Sequence, residues 1–269
     1  GFDQELADMV ARAFDNAWID FYPRSGKTGG AFCSGVDCLH ESRILTNFDG
    51  QFTDVVTLAH ELGHAFHNQC IDSHRVLNHD YSMPLAETAS TFNECVIMSA
   101  AIKAAKDPAE RLALLENQLQ DTTQVIVDIY SRYRFESMVF ERRSDEFMNA
   151  EELCRIMAKA QEESYGDGLD PELRHSYMWL CKSHYYRGSL SYYNFPYAFG
   201  ALFARSLYAM YREQGADFVP KYKELLRATT VMDAEEAAKV CGVDLTRKEF
   251  WVQGLESFKE EIDEFISLL

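Results

Sequence analysis

Thr57-Leu58-Ala59-His60-Glu61-Leu62-Gly63-His64-Ala65-Phe66-His67 decides how the rest of the chain is read. It contains H-E-x-x-H, with His60 and His64 at i and i+4. On a helix those positions share a face, so both imidazoles can turn a ring nitrogen toward one zinc ion. Glu61 follows His60 by one position, about 100° around the helix. There its carboxylate can hold a water on the metal without binding the metal itself. Two histidines on an apolar helix face can equally be core residues bonded to carbonyls, so the motif needs a further ligand to acquire meaning.

That ligand is found outward along the chain, in Pro84-Leu85-Ala86-Glu87-Thr88-Ala89-Ser90-Thr91-Phe92-Asn93-Glu94. A catalytic zinc takes three protein ligands and keeps one position open. Pro84 predicts the start of a helix over 84–106, on which Glu87, Ser90 and Glu94 fall at i, i+3 and i+7 along one face. Glu87 lies 23 residues beyond His64, enough to leave a zinc helix over 53–70, turn through the polar stretch 72–82, and return antiparallel. Glu87 is the predicted third ligand. Glu94, two turns on, is placed to accept the free ring N–H of a ligating histidine. The apolar neighbours Leu85, Ala86, Ala89, Phe92 and Val96 predict a helix buried on most sides.

H-E-L-G-H at 60–64 followed by E-T-A-S-T-F-N-E at 87–94 resembles the oligoendopeptidase F branch of the thimet oligopeptidase family of zinc metallopeptidases. The resemblance runs through the whole chain. It implies a mainly α, zincin-like helical catalytic domain with a small β-hairpin or sheet beside the metal site. It implies one Zn²⁺ per chain, short unstructured peptides as substrates, and a metalloendopeptidase activity. Members of that family are longer and carry a helical N-terminal half. The expectation is therefore a C-terminal catalytic region of a longer parent, packing against an N-terminal helical region that this sequence lacks.

Composition bounds the partners. With 269 residues and 47% hydrophobic content the chain can bury a sizeable core. A formal net charge of −17 repels nucleic acid and anionic membranes, and disfavours acidic peptides as substrates. No run of 18 apolar residues appears, so no membrane span is predicted. The seven cysteines stand singly, without C-x-x-C pairs, which fits reduced thiols in a cytoplasmic protein, each read as a small buried hydrophobe.

Taken in order, residues 2–22 read as one amphipathic helix stopped by Pro23. A glycine-rich loop follows, then two strands at 30–34 and 43–48, the only convincing strands in the chain. In the family the matching segment borders the cleft, so Gly30 and Ala31 are expected to bind substrate where a peptide adds to a strand edge. A hairpin that simply covers the zinc helix is the alternative. Residues 108–149 predict one or two long helices, with Glu136, Glu141, Arg142 and Arg143 as a solvated face. Asn149 predicts an N-cap for a helix over 150–165. Helices at 196–212, 216–228, 233–241 and from 246 onward complete a single domain over 1–269.

A second constellation is Lys182-Ser183-His184-Tyr185-Tyr186-Arg187-Gly188-Ser189-Leu190-Ser191-Tyr192-Tyr193-Asn194-Phe195-Pro196-Tyr197. Aromatic clusters with Gly and Pro are commonly core, and alone this one implies no chemistry. The resemblance implies that a His and one or two Tyr from such a loop line the cleft opposite the metal and complete an oxyanion hole. His184 and Tyr193 are carried over in that role. Tyr186 and Tyr197 are expected to bind substrate and stand as alternatives for the donor, because the spacing from the His varies within the family. Two other readings remain open: a zinc aminopeptidase with the same three ligands, and a catalytically silent helical peptide-binding fragment.

Overall fold

The computed structural model describes residues 2–269 and is mainly helical with one small sheet. In chain order the elements begin with α1 (Gln4–Asp15), β1 (Ile19–Asp20), β2 (Phe32–Val36), β3 (Glu41–Leu45) and α2 (Phe52–Ile71). Next come α3 (Met83–Ala86), α4 (Thr88–Ala104) and α5 (Pro108–Thr123), which runs through a π-helical turn at Gln124–Asp128 into α6 (Ile129–Arg143). After α7 (Ala150–Tyr165) the chain makes short 3₁₀ turns, then α8 (Phe195–Gln214), α9 (Val219–Ala228), α10 (Ala234–Val240) and α11 (Lys248–Leu268). Two compact units result: residues up to Gln118 together with Gly200–Leu269, and Leu119–Phe199.

In the larger unit α2 is packed by α4, α9 and the sheet. Its N-terminus is capped by Asp54, whose Oδ2 accepts from the backbone N–H groups of Asp49, Gly50 and Gln51 at 3.0, 3.1 and 2.9 Å. The Gln51 N–H is a donor that a helix start leaves without a partner, and the other two fix the turn leading into it. Gly63 is where α2 meets α4. A Cβ there would stand 2.5 Å from the Ala89 carbonyl oxygen and 2.6 Å from Ser90 Cα, so only hydrogen on that face lets the backbones approach. Beneath them lies an apolar core with Phe66, Ile71, Leu85 and Phe92 wholly buried, and the Phe92 ring stacks on Tyr222 of α9 at 4.3 Å.

The sheet runs β1-β3-β2, parallel between β1 and β3 and antiparallel between β3 and β2, with Phe32 opposite Leu45 and Val36 opposite Glu41. β3 is central and sends Ser42 and Ile44 inward; β2 is an edge strand. The helix predicted over 2–22 stops at Asp15. Ala17 takes φ 53, the chain reverses, and Trp18 and Asp20 give their carbonyls to the N–H groups of Ile44 and Thr46. The expected strands shift by two or three residues, and β1 is a third strand that helical spacing concealed. The predicted helix over 84–106 also breaks: Glu87, at φ −86 and ψ 5, separates α3 from α4.

The smaller unit is α6 against α7, closed over Phe135, Ile156, Met157 and Ala160. Asn149 caps α7 as expected, its side chain accepting from the Glu152 N–H at 3.0 Å. Cys38 and Cys181 are exposed, whereas Cys70, Cys95 and Cys241 are buried, so the small-hydrophobe reading holds for only part of the set.

Candidate metal centre

α2 places His60 and His64 one turn apart, and the break before α4 turns Glu87 back toward them. His60 Nε2 lies 3.2 Å from His64 Nε2 and 3.2 Å from Glu87 Oε2, and His64 Nε2 lies 3.6 Å from the same oxygen. A tetrahedral zinc with bonds near 2.0–2.1 Å spaces its ligand atoms about 3.3 Å apart. The three donors therefore already have the edge lengths of one face of such a tetrahedron. Among the described residues this is the one cluster of three His, Cys, Asp or Glu groups close enough to share an ion.

Electrostatics make the same demand. Burial pushes His60 down, but hydrogen bonds to Glu87 and Glu94 and their charges outweigh it and raise it. Burial and the charge on His60 push His64 down. Burial works to raise Glu87, yet the His60 bond and the imidazole charges hold it low. The Glu87 and Glu94 carboxylates thus favour positive charge beside His60 while His64 stays neutral, and a cation fits donors so charged.

Two further contacts fix the donors. His60 Nδ1 meets Glu94 Oε1 at 2.5 Å, which orients the ring so that Nε2 is the free nitrogen. Ser90 Oγ donates to Glu87 Oε2 at 2.8 Å. Gly200, on α8, lies against the stem of Glu87: a Cβ on it would come within 2.7 Å of Glu87 Cβ. The Glu94 contact was the predicted one; the Ser90 and Gly200 supports were not, although the Glu87-x-x-Ser90 spacing and a glycine inside a helical stretch were the visible signals.

Glu61 is 5% exposed, and its Oε2 has no hydrogen-bond partner among the described residues. Burial, then the Glu87 and Glu94 charges, lift its carboxyl to about 7 against the opposing pull of His60. A carboxylate so raised can both take and return a proton near neutrality. Gly30, at φ 81, and Ala31 lead into β2 in the same unit; the Gly30 carbonyl accepts from Asn47 Nδ2 at 2.9 Å.

The remaining candidates belong to the smaller unit. His184 stacks on Tyr193 with ring centroids 4.6 Å apart, and Tyr193 meets Tyr197 edge-on at 5.9 Å. Tyr186 is exposed and its hydroxyl donates to the Trp179 carbonyl at 3.2 Å, away from that trio. Desolvation, then the charges of Arg132, Lys182 and Arg187, lower His184, which keeps the ring neutral at neutral pH. One expectation is corrected here. Glu136 is not on a solvated face: it is 6% exposed and accepts the backbone N–H of Tyr192 at 3.0 Å. Glu141 and Arg143 are exposed as expected, while Arg142 is half-buried in ion pairs with Glu146 and Glu152.

The oligopeptidase PepF of Bacillus subtilis is 27% identical over 268 residues, covering 99% of this chain and 39% of the relative. The plasmid-borne oligoendopeptidase F of Lactococcus lactis subsp. cremoris is 28% identical over 272 residues, covering 100% of this chain and 44% of the relative. Among solved structures, a Chlamydophila abortus protein described as a peptidase superposes with a TM-score of 0.86 at 24% identity, over 99% of this chain and 45% of that one. PZ peptidase A with an inhibitor superposes at 0.76 and 20% identity, over 97% and 48%. The chain spans less than half the length of these relatives, and the solved structures establish its fold. The profile of peptidase family M3 matches residues 3–257, and the chain belongs to that family of metallopeptidases.

Proposed function

We propose that this chain is the catalytic region of a zinc-dependent endopeptidase acting on short unstructured peptides. The observation that carries the reading is the convergence of His60 Nε2, His64 Nε2 and Glu87 Oε2 at tetrahedral spacing beside the buried Glu61, whose Oε2 has no partner among the described residues. His60, His64 and Glu87 would hold the ion. When bound, zinc lowers the pKa of a water and polarises a peptide carbonyl. Glu61 takes the proton from the attacking water at its carboxylate and returns it to the leaving amine. Glu94 keeps His60 in the tautomer that presents Nε2. His184 and Tyr193 donate hydrogen bonds to the carbonyl oxygen as charge develops on it. Gly30 and Ala31, leading into the edge strand β2, receive the peptide by main-chain hydrogen bonds, which favours breadth over sequence preference. No described helix is long and apolar enough to cross a membrane.

The test is metal content measured with cleavage of an internally quenched, N-blocked peptide, with and without chelator. Stoichiometric zinc, loss of cleavage on chelation, and an inert but metal-loaded Glu61→Gln are expected. Cleavage by Glu61→Gln at the unsubstituted rate removes Glu61 from the reaction. Cleavage confined to peptides with a free amine identifies an aminopeptidase. Zinc bound without any turnover identifies a peptide-binding fragment.

A further inference from the structure

Arg132, Glu136 and Phe140 recur every four residues on α6, so they share a stripe of that helix. A stripe with a charged residue at each of its first two positions would ordinarily face water, yet Arg132 is 7% exposed and Glu136 6%. What covers them is the loop that carries Tyr193. The Glu136 Oε1 accepts the N–H of Tyr192 at 3.0 Å, and Arg132 Nη1 donates to Asn194 Oδ1 at 2.9 Å. Arg132 is itself steadied by an ion pair with Asp128, one turn earlier. The Tyr192 ring lies between Tyr133 and Phe140, 5.5 Å from each, and its hydroxyl reaches Ser137 Oγ at 3.4 Å. Tyr192 also has φ 56, a left-handed backbone that a non-glycine residue holds at a cost of about 1–3 kcal/mol. That conformation persists where its surroundings over-determine it, and here they do so through an amide acceptor, two rings and a hydroxyl.

The residues on either side of Tyr193 are thus both tied to α6, while Tyr193 turns to His184 and Tyr197. We propose that Glu136 and Arg132 are positioning residues for the Tyr193–His184 pair, acting through Tyr192 and Asn194. The inference rests on the reading that this pair donates to the reacting carbonyl, and it adds what sets the pair's geometry. Glu136 acts by reach, placing an acceptor oxygen at the Tyr192 amide. Its negative charge is not the working property.

That distinction supplies the experiment. Glu136→Gln keeps the reach and an acceptor oxygen but removes the charge, whereas Glu136→Asp keeps the charge and falls one methylene short of the amide. Each variant is measured for kcat and KM, and for the His184 ring-proton shift by NMR, assigned with His184→Gln, since stacking on Tyr193 moves that resonance. Glu136→Asp is expected to lose about 10–100-fold in kcat, the scale of a donor misplaced by an ångström, with KM within about twofold and the His184 shift moved toward that of an unstacked ring. Glu136→Gln is expected to keep the shift and stay within about threefold of the parent kcat. Glu136→Gln impaired with Glu136→Asp intact overturns the proposal, as does a His184 shift unchanged in both. Tyr193→Phe separates the two layers. Full kcat in Tyr193→Phe refutes the donor role itself, whereas a depressed kcat there with an intact Glu136→Asp refutes only the positioning by Glu136. If Glu136→Asp does not fold, Asn194→Ala, which removes the acceptor of the Arg132 bond, is read by the same shift and the same kcat, and a parent-like result overturns the proposal.

Discussion

Substituting Gly63 by Ala perturbs the metal centre without touching a ligand. The added methyl would sit 2.5 Å from the Ala89 carbonyl oxygen, 2.6 Å from Ser90 Cα and 2.9 Å from Ala89 C, and all three atoms are backbone. Ordinary contact begins near 3.4 Å, so the first turn of α4 must retreat by roughly 0.9 Å. Overpacking of this kind costs about 1–3 kcal/mol, against which the better helix propensity of Ala returns about 1 kcal/mol. The net loss of about 0–2 kcal/mol shifts the melting temperature by only a few degrees in a chain of this size. The larger effect falls on the metal. Glu87 lies two residues before Ala89, and metal–ligand bonds tolerate about ±0.2 Å. A shift several times that tolerance is expected to weaken zinc about 10–100-fold. The assay is competition with a chromophoric chelator, alongside thermal melts with and without zinc. Gly63→Ala with parental zinc affinity would refute the claim that backbone approach at Gly63 sets the position of Glu87.

Glu87→Ala is expected to lose most of its zinc by elemental analysis, and Ser90→Ala, which removes only the hydroxyl supporting Glu87 Oε2, to lose about tenfold in affinity by the same chelator competition. Asp54→Ala leaves three amides at the start of α2 without their acceptor; a loss of about 1–2 kcal/mol in urea unfolding is expected. His67 supplies an acid-sensitive term. Its Nε2 meets Thr229 Oγ1 at 2.8 Å, and because that hydroxyl already donates to the Leu226 carbonyl, the ring must donate from Nε2. Burial pushes it from 6.5 down to about 3. The folded state therefore refuses a proton that the unfolded chain accepts below 6.5, and stability falls as pH drops through that window, by about 1.4 kcal/mol per unit once well below 6.5. Near pH 5 the loss reaches about 2 kcal/mol, and His67→Gln should show that much less destabilisation between pH 7 and 5 than the parent chain.

The sequence made some of this legible and hid the rest for physical reasons. The i, i+4 spacing of His60 and His64 is a purely local signal, and the cap at Asn149 likewise depends on a side chain three residues from the amide it satisfies. The strand at Ile19–Asp20 was invisible because its partner, β3, is more than 20 residues away and apolar spacing on the α1 side mimics more helix. The break at Glu87 was concealed because the helical periodicity of Glu87, Ser90 and Glu94 continues across it. Glu136 misled because a charged residue among other charged residues reads as surface, and its burial depends on a loop more than 50 residues later in the chain.

The larger unit is interrupted: it halts at Gln118 and resumes at Gly200. All three proposed ligands lie in the first third of this sequence, but Gly200 rests on Glu87, and Thr229 holds His67 from 162 residues away. A nascent chain that has emerged only as far as α7 therefore owns every donor atom and none of the late scaffold that immobilises them. Long loop closures of this kind slow folding and leave partly assembled states exposed. Ribosome-stalled or truncated forms ending before α8 should scavenge metal weakly and indiscriminately, and firm retention should switch on only once α9 is released from the exit tunnel.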